Sequence, residues 1–132
     1  MLPSGVFAAS LTPLTADFRV DTKLLVEHVR WLLSHGCDGI ALFGTTGEAN
    51  SLSAAERMRG LDGLLEAGDE SRRLLVGTGC CAVADTVAMT RHAARHKVGG
   101  VLRLPPIYYK TTDPEGLFAV YEQVIQQVSE AA

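Results

Sequence analysis

Four successive βα units on a parallel sheet, and therefore an α/β fold, are the architecture this sequence predicts. Short apolar runs at residues 6–11, 39–43, 74–77 and 100–104 each precede a longer segment whose apolar residues recur at helical spacing. Such alternation favours parallel pairing, crossovers of one hand, and functional loops at the C-terminal ends of the strands. Size agrees with one domain spanning residues 1–132: the chain is 47% hydrophobic and 20% charged, without a linker or low-complexity tract, and can enclose one core.

Each element has a local reason. After the first strand, residues 13–21 read as a loop, and residues 22–35 place Leu25, Val29, Leu32 and Leu33 on one helical face before Gly36 stops the helix. The second helix opens on Ser53 and Glu56 at capping-box spacing, where the hydroxyl accepts from the N3 amide and the carboxylate reaches back to the cap amide. Met58, Leu61 and Leu65 are its expected buried stripe. Asp85 is the expected cap of a third helix running to about His96. The fourth begins at Asp113 as N-cap, with Pro114 at N1 where its missing amide costs nothing, and continues through Leu117, Val120, Tyr121, Val124 and Val128.

Charge and cysteine usage narrow the function classes. Twelve Lys and Arg against fifteen Asp and Glu give a net charge of -3, which does not suit a nucleic-acid surface. No apolar run approaches the roughly 20 residues of a membrane span, so a cytoplasmic protein without nucleic-acid or membrane partners is expected. Cys37, Cys80 and Cys81 are an odd number without metal-ligand spacing, so reduced thiols are expected, with no cofactor and no metal. His28, His35, His92 and His96 all fall on helices, as surface or interhelix residues.

Two polar loops then follow strands. Residues 44–48 read Gly-Thr-Thr-Gly-Glu, and residues 105–110 read Pro-Pro-Ile-Tyr-Tyr-Lys. Gly44 and Gly47 are expected to supply the backbone freedom that closes the first loop, with Glu48 accepting loop amides, while the hydroxyls of Thr45 and Thr46 can donate to a carboxylate or phosphate. Spacing alone leaves two readings open, an anion-binding loop and a plain βα turn.

Together with Gly5-Val-Phe-Ala-Ala-Ser-Leu-Thr-Pro-Leu14, Gly77-Thr-Gly79 and Glu115-Gly-Leu117, these motifs resemble the dihydrodipicolinate synthase/N-acetylneuraminate lyase family, in the family's order and over essentially the whole chain. The resemblance implies the N-terminal half of a (β/α)8 TIM barrel. It also implies a class I aldolase or lyase, in which a lysine forms a Schiff base with pyruvate or another 2-oxo acid that is condensed with, or cleaved from, an aldehyde. Thr45 and Thr46 match the paired hydroxyls that hold the pyruvate carboxylate, Thr46 with a part in proton relay. Tyr109 matches a catalytic tyrosine that reaches across a dimer interface, so a homodimer or homotetramer is implied.

A full barrel typically takes about 250 residues, and the resemblance puts the Schiff-base lysine on the sixth strand and its partner tyrosine on the fifth, beyond Ala132. Lys23, Lys97 and Lys110 are poor substitutes, because a Schiff-base lysine must be held uncharged by burial or nearby positive charge. Ala49, Ala54 and Cys81 stand where lysine-forming synthases carry feedback-site residues, so feedback by lysine is not expected. Arg103, a charge inside an apolar run, is expected to point to the lumen or rim, toward Glu48. The alternative reading is a non-catalytic α/β module, flavodoxin-like or half-barrel, that binds a small anion at residues 44–48.

Overall fold

The computed structural model describes residues 4–105 and 108–129. Four βα units follow in order: β1 Phe7–Ala9, α1 Thr22–Ser34, β2 Gly39–Leu42, α2 Ala54–Glu66, β3 Leu74–Gly77, α3 Val83–Arg95, β4 Gly100–Leu102 and α4 Pro114–Ser129. The strands form one parallel sheet in the order β1-β2-β3-β4, with Phe7 opposite Gly39, Ile40 opposite Leu74 and Leu75 opposite Gly100. Each helix packs against the next in the chain, so the helices form one layer. This is the arrangement of half a (β/α)8 barrel. A flavodoxin-like sheet would reverse direction after its first two strands, and that alternative is excluded by the strand order.

The core lies between sheet and helices. Leu25, Val29, Ile40, Leu42, Phe43, Leu61, Leu64 and Leu74 are all but inaccessible to solvent. Phe43, directly after β2, is its pivot. The ring is 1% exposed, the backbone is left-handed at φ 52°, and a Cβ placed on Gly60 of α2 would lie 2.7 Å from the ring. A Cβ on Gly77 would run into the carbonyl of Phe43. Glycine costs an α-helix about 1 kcal/mol relative to alanine. At position 60 that cost is offset by the close approach it allows.

The caps of α1, α2 and α4 follow the chemistry of their sequences. Asp21 accepts from the Leu24 amide at 3.0 Å. Ser53 and Glu56 form both halves of the capping box, and Asp113 accepts from the Gly116 amide at 2.6 Å. Three expectations need correction. Asp85 does not cap α3: the N-cap is Ala82, without a side-chain bond, and Asp85 lies within the first turn. Thr86 instead ties the preceding loop to the helix, its hydroxyl accepting from the Cys80 amide at 3.2 Å and lying 3.2 Å from the Ala82 carbonyl. The buried stripe of α2 is Arg57, Gly60, Leu61 and Leu64, while Met58 and Leu65 are only partly covered. β1 and β4 are three residues each, shorter than their apolar runs. As edges of the sheet, each has a single neighbouring strand among the described residues to extend its pairing.

Candidate active site

A cavity of about 530 Å³ opens where the C-terminal ends of all four strands meet. Ala9, Ala41, Gly77 and Leu102 contribute its floor from the four strands in turn, and residues 43–51 form one wall. Small residues at the ends of β1, β2 and β3 leave the room. A Cβ on Gly44 would meet nothing within 4 Å, whereas one on Gly47 would press on Ser10 O at 3.0 Å and on Thr12 Oγ1 at 3.1 Å.

The loop is held shut by its own backbone. The amide of Glu48 donates to Thr45 O at 3.1 Å and that of Ala49 to Gly44 O at 3.2 Å. From the loop after β1, the Thr12 hydroxyl donates to Gly47 O at 2.7 Å. The left-handed residues are Phe43 and Glu48, at φ 52° and 53°, and neither Gly44 nor Gly47. The glycines therefore shape this loop by lacking side chains, not by unusual dihedrals. The Glu48 carboxylate accepts no amide among the described residues, which corrects its expected role: its backbone makes the turn.

Thr45 and Thr46 are both exposed, both line the cavity, and neither hydroxyl has a hydrogen-bond partner among the described residues. Two adjacent hydroxyls on a rigid loop can donate to the two oxygens of one carboxylate without first breaking an internal bond.

The opposite wall, Gly79, Cys80 and residues 102–105, depends on a residue that the sequence reading missed. Arg57, 4% exposed, donates from Nη1 to Gly79 O at 3.0 Å and lies 3.4 Å from Gly77 O. Burial lowers the pKa of the guanidinium from its ordinary value, and attraction to the Cys80 and Asp85 side chains acts against that shift. An arginine stays charged under such conditions, and here it ties α2 to the end of β3. The spacing of Arg57, Gly60, Leu61 and Leu64 at i, i+3, i+4 and i+7 was the available signal.

The second motif is not assembled in the same way. Pro106 and Ile107 lie outside the described residues. Tyr108 and Tyr109 are exposed, their rings edge to face at 5.4 Å, and neither lines the cavity. Arg103 lines the cavity but does not pair with Glu48. Its guanidinium stacks over the ring of Tyr121 on α4 at 4.2 Å and lies 3.4 Å from Val120 O. A charge can face the helix layer here because an aromatic face and a helix carbonyl receive it. Lys23, Lys97 and Lys110 are all exposed, and none lines the cavity.

The chain matches the dihydrodipicolinate synthetase family over residues 2–131. It is 39% identical over 120 residues to an uncharacterized DapA-like lyase of Chloroflexus aurantiacus, covering 90% of this chain and 40% of that protein. The dihydrodipicolinate synthase of Agrobacterium tumefaciens superposes with a TM-score of 0.91 at 34% identity, over 97% of this chain and 45% of that one. YagE of E. coli K12, a prophage protein of the dihydrodipicolinic acid synthase family solved in complex with pyruvate, superposes at 0.80 with 26% identity, over 96% and 42%. The chain thus spans less than half the length of these relatives.

Proposed function

The chain belongs to the dihydrodipicolinate synthetase family, and on that premise we propose that it is the N-terminal portion of a Schiff-base-forming lyase that joins pyruvate, or another 2-oxo acid, to an aldehyde or releases it from one. The observation that carries this reading is the pair of unpartnered hydroxyls, Thr45 and Thr46, on a backbone-locked loop at the edge of the strand-end cavity. In this role the two hydroxyls hold the carboxylate of the 2-oxo acid, so that its carbonyl carbon is presented over the strand ends. Thr46 also passes a proton during carbon–carbon bond formation or cleavage. Gly44 leaves space beside the carboxylate, and Arg57 fixes the facing wall. Tyr109, exposed in a single chain, contributes its hydroxyl to the site of a neighbouring subunit in a homodimer or homotetramer.

The nucleophilic lysine is not among Lys23, Lys97 and Lys110, since all three are solvated and away from the cavity. Residues 1–132 alone therefore bind the substrate's carboxylate without performing the chemistry. Borohydride reduction in the presence of pyruvate should leave no adduct on these lysines, and a stable adduct on any of them would overturn the assignment. In the complete enzyme, Thr45→Ala or Thr46→Val should cost about 1 to 3 kcal/mol of transition-state stabilisation, roughly 5- to 150-fold in kcat/KM. Unchanged kinetics in both variants would reduce the loop to a structural turn.

A further inference from the structure

On the helix layer, apart from the cavity, three potential metal ligands converge. His92 and His96, four residues apart, lie on α3 and at its C-cap, and Asp62 faces them from α2. Nε2 of His92 lies 2.6 Å and Nε2 of His96 lies 3.2 Å from the same carboxylate oxygen, Oδ1 of Asp62. The three donor atoms all lie within 4.8 Å of one another. None of the three residues lines the cavity.

We propose that Asp62, His92 and His96 form a binding site for a divalent transition-metal ion of the zinc, cobalt or nickel type, clamping α2 to α3. The geometry argues for it in three ways. A metal with bonds of about 2.0–2.1 Å in tetrahedral array holds its ligand atoms on the order of 3.3 Å apart, a separation inside the range these donors span, from 2.6 Å to no more than 4.8 Å. Residues at i and i+4 share one face of a helix, so both imidazoles can approach an ion from the same side while the carboxylate closes from the next helix. The three side chains are 35, 23 and 39% exposed, so an ion can enter from solvent and keep water in a remaining coordination position.

Ligand chemistry selects the class of ion. Two imidazole nitrogens and one carboxylate suit borderline metals, whereas magnesium and calcium require shells of oxygen. In this structure both imidazoles approach a single carboxylate oxygen, Oδ1 of Asp62. With an ion bound, the carboxylate neutralises part of the ion's charge, and each Nε2 acts as a ligand. Because the folded chain alone brings these residues together from two helices, binding stabilises the native state in proportion to the logarithm of the free metal concentration.

The test is calorimetric titration of the protein with zinc chloride, together with its melting temperature and the visible spectrum of the cobalt form. One ion per chain is expected, with a rise in Tm and a cobalt spectrum of low coordination number. His96→Gln, at the most exposed of the three positions, should weaken binding at least tenfold, whereas His28→Gln and the double variant Cys80→Ser/Cys81→Ser should bind as the parent does. Absence of zinc binding by the parent would overturn the site. So would undiminished binding by His96→Gln, or loss of binding in the cysteine variant. If His96→Gln loses helix content, modification of the unaltered protein by diethyl pyrocarbonate decides the matter. Protection of His92 and His96 by zinc supports the site, and equal modification with and without zinc refutes it.

Discussion

The loop after β2 starts on Phe43, 1% exposed, and ends among residues as buried as Ala49, at 9%. The loop after β4 runs through Leu104, Tyr108 and Tyr109, exposed at 56, 77 and 64%. Both were marked in the sequence by dense polar and aromatic motifs, yet only the first is fixed by this chain. It has a strand on either side, α1 and α2 beneath it, a bond from Thr12 across to Gly47 and a left-handed residue at each end. The loop after β4 follows an edge strand with one neighbouring strand among the described residues, and it leans on α4 through Arg103 and Tyr121 and on the backbone at Gly79 through Leu104. A motif becomes geometry where the surrounding packing over-determines it. At the edge of the described sheet, the same density of motif is an exposed surface.

The open side should have its largest effect on assembly. Val101, Leu102 and Leu104 around β4, and Val6 and Leu11 around β1, are 42 to 64% exposed at the two edges of the sheet. Unpaired edges carrying apolar side chains are templates for association. Residues 1–132 expressed alone should sediment as dimers or larger species at micromolar concentration and bind hydrophobic dyes. A compact monomer without dye binding would mean that both edges are protected in some other way.

The second effect probes the closed side. Phe43→Ala removes a fully buried ring that touches Gly60 and leaves a cavity under the loop, so a loss of about 3 to 5 kcal/mol is expected, at the upper end of core truncations. Urea denaturation of an assembled form reads it. A loss below about 1 kcal/mol would show that the loop is not anchored through this residue.

Much of this was legible beforehand, and the gaps have physical causes. The βα order, the capping box at Ser53 and Glu56 and the Asp113-Pro114 start of α4 are local, and local rules found them. The left-handed Phe43 was missed because glycines usually take such dihedrals, and here the two glycines are needed for lack of bulk. Arg57 lies on the buried face of α2 by its spacing, but a stripe sought among apolar residues alone does not include a guanidinium. Arg103 was aimed at Glu48 because the stacking partner, Tyr121, is distant in sequence and joins it only through packing. Asp62, His92 and His96 sit on two helices whose mutual rotation no periodicity argument fixes.

A third and smaller effect concerns how α2 begins, directly after the closed loop. Ser53→Ala removes a cap worth about 1 kcal/mol. The size should depend on pH. Hydrogen bonds from the Ser53 hydroxyl, and then from its backbone amide, hold the Glu56 carboxyl below its ordinary value of 4.5. A carboxylate with a lowered folded pKa adds stability that is present above the unfolded value and lost as pH falls through the folded one. The difference between parent and Ser53→Ala should therefore be larger near neutrality than well below pH 4.5. Because the carboxylate is solvent-accessible, the pH-dependent part should be small and screened by salt. A difference that is flat from neutral to acid would assign the cap to the serine hydroxyl alone.

The smallest effect on stability belongs to the open loop and gives the sharpest contrast. Tyr109 is 64% exposed and packs only edge to face on Tyr108, so Tyr109→Phe should change the unfolding free energy by less than about 0.5 kcal/mol, as surface substitutions usually do. The hydroxyl it removes has no partner among the described residues of one chain, so none of these depends on it for a hydrogen bond. If Tyr109 serves the site of a neighbouring subunit, the same substitution in the complete enzyme should lower kcat while leaving folding and assembly intact. Mixing Tyr109→Phe with Thr46→Val subunits then separates the two roles. A mixed dimer places both defects in one site and leaves the other site whole, so it should carry about half the parent's activity, and a random equal mixture about a quarter. Both variants losing activity without recovery on mixing would place the tyrosine and the threonine in the same subunit's site, and the open loop would have to close within its own chain.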